Sequence, residues 1–160
     1  MVAPPILFGT ICAHLSRDKA LQQKLRSDPS LIPAAVEELV RLYVPYRGFC
    51  RTSTVEIEIA GRTIPPGEPV TMTYAAANRD PEIFEDPDAF ILGRKNITSH
   101  LGFGYGKHRC AGMPLARMAL QEGLKAILML TKDFEVDGDF EYARMPEMGI
   151  ISCPLRIVSA

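Results

Sequence analysis

Residues 100–112 read HLGFGYGKHRCAG, with three glycines ahead of one cysteine and a fourth behind it. This is the stretch of the chain best suited to chemistry. Glycines at that density let a backbone turn tightly or lie against a flat surface without a clash at Cβ. Met113 to Leu120 follows with the composition of a helix, so Cys110 precedes a helix start, where the dipole favours thiolate over thiol. Lys107, His108 and Arg109 add positive charge on the same side. The loop thus offers one open-faced thiolate to an electrophile or a metal. Plainer readings stand beside this one. A lone cysteine is most often a small buried hydrophobe, and a glycine-rich turn is often only a turn. A phosphate cradle is a third, but no strand-like apolar run leads into the loop, and cysteine rather than Lys-Ser/Thr opens the helix.

The frame around the loop is that of an ordinary soluble domain. The 160 residues suffice for one domain, and 47% apolar with 23% charged residues is a globular composition. A net charge of −1 gives no attraction toward nucleic acid or an anionic membrane. Cys12, Cys50, Cys110 and Cys153 form no C-x-x-C pair, against both a zinc site and a disulfide framework. No apolar run is long enough to span a bilayer and no signal peptide stands out, so a reducing, cytoplasmic setting is expected.

Taken in order, Ile6, Leu7, Ile11 and Leu15 predict a helix over 1–17 that opens at Pro4-Pro5. A second short helix covers 18–26 and stops before Pro29. Ile32–Leu42 is a third, with Pro33 in its first turn. Its Glu38 and Arg41 stand three apart on one face. Taken alone they are a solvated pair worth under ~1 kcal/mol. Thr54–Ile59 alternates like a half-buried strand, Arg62–Ile64 returns as a hairpin, and Pro69–Thr73 is a further strand. Residues 75–81 predict a short helix that stops at Pro81. The run to Ser99, rich in Asp, Pro and Gly, reads as a long loop, unusual in a compact domain. A long helix from 113 to about 131 carries Leu115, Met118, Ala119, Leu124, Ile127 and Leu128, and strands follow at 134–136 and 147–158. His14 is expected to be structural and His100 to support the cysteine loop. The fold class is mainly α with small β-sheets (α+β).

Phe103-Gly104-x-Gly106-x-His108-x-Cys110-x-Gly112 fixes six positions in ten residues and resembles the heme-binding loop of the cytochrome P-450 family, in its soluble bacterial style. The resemblance implies heme b as cofactor, with Cys110 as the axial thiolate and sole metal ligand. It implies that Phe103 packs on the cysteine side of the heme and that His108 reaches a propionate. Gly104 belongs to the same motif, while Gly106 and Gly112 let loop and helix approach the porphyrin. An arginine at the place of Arg51 holds a propionate in relatives, a task that suits its bidentate fork. The words around Glu38 and Arg41 resemble the family's E-x-x-R helix, where the pair is buried behind the cysteine loop. The N-R-D-P-x-x-F-x-D-P-D-x-F run from Asn78 to Phe90 resembles the meander before it. Relatives commonly carry a basic residue where this chain has Ala89, and Arg94 is the candidate substitute. The 44–51 segment, with Phe49, and the loop at Ile150 and Ile151 resemble substrate-contacting stretches.

Along the chain the resemblance implies these parts of the C-terminal heme-binding portion: 1–31, the end of the distal helix and the next helix; 32–43, the E-x-x-R helix; 44–74, a β-rich segment; 75–99, the meander; 100–112, the ligand loop; 113–131, a helix; 132–160, terminal strands. The acid–threonine pair that helps deliver protons would lie just before residue 1, and Thr10 is too far along to replace it, so no catalytic group beyond the ligand is expected intact. Three readings stay open. The first is a heme-thiolate monooxygenase fragment acting on a small organic substrate, with electrons from a ferredoxin or flavin partner. The second is a heme-binding protein that does not oxygenate. The third is a heme-free scaffold, paired with a separate N-terminal half or with itself.

Overall fold

A computed structural model describes residues 2–159. Helix α1 (Ala3–Arg17) opens at the two prolines and buries Ile6, Leu7, Ile11, Cys12 and Leu15. Asp18 stops it and caps α2 (Lys19–Ser27), its carboxylate accepting the Leu21 N–H at 2.9 Å. A single 3₁₀ turn (Pro29–Leu31) leads into α3 (Ile32–Leu42), which lies in the middle of the molecule and buries eight of its residues. Helix α5 (Met113–Leu130) presents Leu120, Leu124 and Leu128, one residue per turn, to the same core. Phe134 and the buried residues of α1, α2 and α3 complete that core.

The β structure is four separate antiparallel pairs. Strand β1 (Phe49–Thr52) pairs with β4 (Pro69–Met72), and β2 (Ile57–Ile59) with β3 (Arg62–Ile64) as a hairpin nested between them. Strand β5 (Thr131–Val136) pairs with β8 (Leu155–Ser159), and β6 (Glu141–Tyr142) with β7 (Ile150–Ser152). The helix–sheet composition is the α+β arrangement expected.

Several elements are shorter than their patterns predict. The strand over Thr54–Ile59 shrinks to Ile57–Ile59, and Ile59 is 49% exposed, the hairpin burying only Ile64. The strand expected at 147–158 is cut in two by Pro154, which has no N–H for a ladder. The helix before Pro81 is only α4 (Tyr74–Ala77); beyond it the Arg79 and Asp80 N–H groups donate to the Ala76 and Ala77 carbonyls in tight turns, and the proline disfavours helix at the residue before it. Leu115 and Met118, expected on the apolar face of α5, are 47% and 56% exposed. The buried stripe is set by Leu120, Leu124 and Leu128 instead. No helix among the described residues is long and apolar enough to cross a membrane.

Candidate functional site

The frame behind the cysteine loop is built on Glu38. Both of its oxygens are held by Arg41, through Nε at 2.9 Å and Nη2 at 2.8 Å, and by Arg94 Nε at 3.0 and 3.2 Å. The Ile91 amide adds a fourth donor and a fifth hydrogen bond, at 3.1 Å. Glu38 and Arg41 are fully buried and Arg94 is 6% exposed, so this is not a solvated pair. Desolvation alone would raise the Glu38 carboxyl; the Arg41, Ile91 and Arg94 hydrogen bonds overcome it and hold it below its ordinary value. Arg94 takes the role left open by Ala89, whose carbonyl accepts from both arginines. Arg41 also donates to the carbonyls of Asn78 and Pro87. These bonds and the buried Phe84 ring beneath both guanidiniums give residues 81–96 a fixed course without regular elements.

Asn78 carries that order to the loop. Fully buried, it donates through Nδ2 to the Arg41 carbonyl (3.1 Å) and accepts the Leu101 N–H at 2.6 Å. Gly102 then lies against α3, where a Cβ would come within 2.6 Å of Val40 Cγ1. Gly104 and Gly106 have φ of 69° and 71°, a left-handed backbone that suits glycine. The loop closes as the Cys110 N–H donates to the Phe103 carbonyl at 2.9 Å, and α5 begins after Gly112.

This construction leaves the free thiol of Cys110 exposed on the wall of a cavity of about 450 Å³. Of the residues proposed from sequence, Phe49, Arg51, Phe103, Gly104, His108, Cys110 and Gly112 line that cavity. Gly106 does not, and acts through its turn. Ile150 and Ile151 do not line it either: Ile150 is buried against α1, its amide donating to Thr10 Oγ1 at 3.1 Å, and Ile151 is exposed. Leu7, Val40, Tyr74 and Leu120 join the lining from four different helices, and no local pattern marks those positions. Asn78 was missed as a site residue for a different reason, its signal being only its place at the head of the meander motif.

The donor set states what the cavity can hold. Its walls are mostly apolar, Arg51 and His108 stand among the lining residues, and it offers one sulfur. Among the described residues no cluster of three His, Cys, Asp or Glu could hold a bare metal ion. One thiolate fits a metal that brings its other ligands with it, in a flat apolar carrier with acidic substituents. The volume lies within the ~300–1,000 Å³ usual for cofactor pockets.

The family model for cytochrome P450 matches residues 11–145. The chain belongs to the cytochrome P450 family. The P450 cofactor is heme b ligated by a cysteine thiolate, which agrees with this donor set. The chain is 38% identical over 130 residues to cytochrome P450-terp of a Pseudomonas species, covering 81% of this chain and 30% of that one. It is 40% identical over 126 residues to the biotin biosynthesis cytochrome P450 of Bacillus subtilis, covering 79% and 31%. Among solved structures, the open form of cytochrome P450 EryK from S. erythraea superposes with a TM-score of 0.93 at 32% identity, over 99% of this chain and 42% of that one. The substrate-free Mycobacterium marinum P450 CYP150A6 gives 0.94 at 29% identity, over 99% and 41%. The chain therefore spans about a third of the length of the curated P450 relatives it matches.

Proposed function

We propose that this chain supplies the thiolate side of a heme-thiolate monooxygenase acting on a small organic substrate, with Cys110 as the axial ligand. The observation that carries the proposal is the placement of Cys110: the one thiol on the cavity wall, in a loop braced from behind by the Glu38 network. When bound, heme supplies oxygen-activating redox chemistry, which a thiolate ligand biases toward O–O cleavage.

The chain's own residues do the positioning. Phe103 and Gly104 give the ligand side an apolar wall and a close approach, and Arg51 and His108 offer N–H donors to a propionate. Phe49 stacks between Tyr46 and Tyr74, with ring centroids at 5.4 and 6.0 Å, and forms the aromatic rim on which an apolar substrate would rest. Electrons would come from a ferredoxin- or flavin-type donor.

A second reading, heme binding without oxygenation by the isolated chain, is favoured by Thr10. Its hydroxyl donates to the Ile6 carbonyl at 3.0 Å and accepts the Ile150 N–H, so it is committed away from the cavity.

The test is hemin addition, reduction and exposure to carbon monoxide. A strongly red-shifted Soret band that disappears in Cys110→Ala but survives in Cys50→Ala supports thiolate ligation by Cys110. A band retained in Cys110→Ala refutes the assignment, and no uptake at all leaves the scaffold reading.

A further inference from the structure

Beside the Glu38 network lies a second ionic cluster, centred on Glu37. Glu37 points to the other side of α3, and its two oxygens take Arg117 Nε at 2.6 Å and Arg117 Nη2 at 2.7 Å in a bidentate pair. Oxygen Oε2 also takes His100 Nε2 at 3.2 Å. Because His100 Nδ1 accepts the Gly102 N–H at 3.0 Å, the ring proton resides on Nε2 and donates to Glu37. One carboxylate thus joins α3 to the entry of the cysteine loop and to the first turns of the helix that leaves it.

The Arg117 guanidinium does a second thing. Its carbon lies 5.0 Å from the centre of the Phe103 ring, which lines the cavity. The Phe103 carbonyl in turn holds the Cys110 N–H at 2.9 Å. His100 contacts the same ring, with centroids 6.0 Å apart. Isolated surface ion pairs rarely achieve anything. This one is bidentate, with a Glu37 side chain only 20% exposed, and reaches the ligand loop by two routes, through the His100–Gly102 turn and through the Phe103 ring.

We infer that Glu37 and Arg117 are positioning residues that clamp Phe103, and through its carbonyl the Cys110 backbone, in the place from which Cys110 reaches the heme iron. The inference rests on heme-thiolate ligation by Cys110. It assigns the setting of ligand position to a cluster separate from the Glu38 network, which orders the meander. Arg117→Lys keeps the charge and the helix but loses the fork and the planar stack on Phe103.

Hemin titration by absorbance, followed by the spectrum of the reduced carbon monoxide complex, tests the clamp in Arg117→Lys, Arg117→Gln and Glu37→Gln. Outer partners of a metal ligand typically change metal affinity by roughly 10–100-fold. The expected result is hemin uptake at least ~10-fold weaker, with a falling share of the red-shifted band in the order wild type, Lys, Gln. Arg79→Gln, which breaks the exposed 2.9 Å pair with Asp88, serves as the control and stays at wild-type values. Far-UV circular dichroism checks folding; Arg117 lies on the α5 surface, so Arg117→Lys decides the matter should Glu37→Gln fail to fold. Unchanged affinity and band share in both Arg117 variants overturn the clamp while leaving Cys110 ligation standing. A wild-type chain with no red-shifted band removes Cys110 ligation itself, and the clamp with it.

Discussion

Replacing Glu38 with Gln is the sharpest probe of the frame behind the cysteine. The change is nearly isosteric but removes the single negative charge that balances Arg41 and Arg94. Four guanidinium contacts between 2.8 and 3.2 Å and the Ile91 amide lose their anionic acceptor, and the amide turns an N–H₂ toward one of the cations. Both arginines are already buried, so neither can recover hydration without opening the meander. Removing one partner of a buried pair costs about 3–5 kcal/mol. That is a large share of the ~5–15 kcal/mol by which domains are stable. At about 2–4 °C per kcal/mol for chains of this size, the melting midpoint should fall by roughly 6–20 °C. The assay is urea and thermal denaturation of wild type and Glu38→Gln, followed by far-UV circular dichroism. A loss below ~1 kcal/mol would refute the reasoning, since only a solvated pair would be so cheap.

Other outcomes follow from the same contacts. Asn78→Ala removes the acceptor of the Leu101 N–H and the donor to the Arg41 carbonyl, and should cost about 1–3 kcal/mol for each group stranded, with weaker hemin uptake as the second readout. Gly102→Ala forces a Cβ to within 2.6 Å of Val40 and should destabilise by about 1–3 kcal/mol in the same denaturation assay. Burial would raise the Glu37 carboxyl, but the His100 and Arg117 hydrogen bonds hold it at about 2. A depressed acid stabilises the fold above its unfolded value of 4.5 and loses that contribution as pH falls toward 2, so the drop in midpoint over this window should be smaller in Glu37→Gln, which keeps the contribution of the depressed Glu38 but lacks that of Glu37. The chain without heme should self-associate through the open cavity and the exposed Leu115, Met118, Met129 and Leu130 of α5; a clean monomer by light scattering would count against this.

What the residues disclosed in advance was local. Helix α3 begins at Ile32 and ends at Leu42 as its proline and periodicity require, and the Gly-rich run up to Cys110 states its own turns. By spacing alone the E-x-x-R pair is a solvated one, because spacing along a helix says nothing of what covers that face; its burial was implied only by the family resemblance. The cover is the meander, whose own pattern was that of a loose loop. Its order comes from Arg94, Phe84 and Asn78 finding partners in α3 and the heme loop, contacts far apart in sequence. Leu115 and Met118 failed in the opposite sense: they are apolar at helical spacing, yet they face the cavity rim and the outer surface rather than the core. The Ile150 loop has the right words for a pocket wall, but its amide and side chain are taken by α1.

The bonds to Glu38 also impose an order in time. The carboxylate waits for Ile91 and Arg94, which follow it by 53 and 56 residues. At translation rates of about 5–20 residues per second, a nascent chain carries this acid and Arg41 for roughly 3–11 s before the meander is made. The ligand loop is made later still. A chain stalled before Arg94 exposes the charges that the finished fold buries.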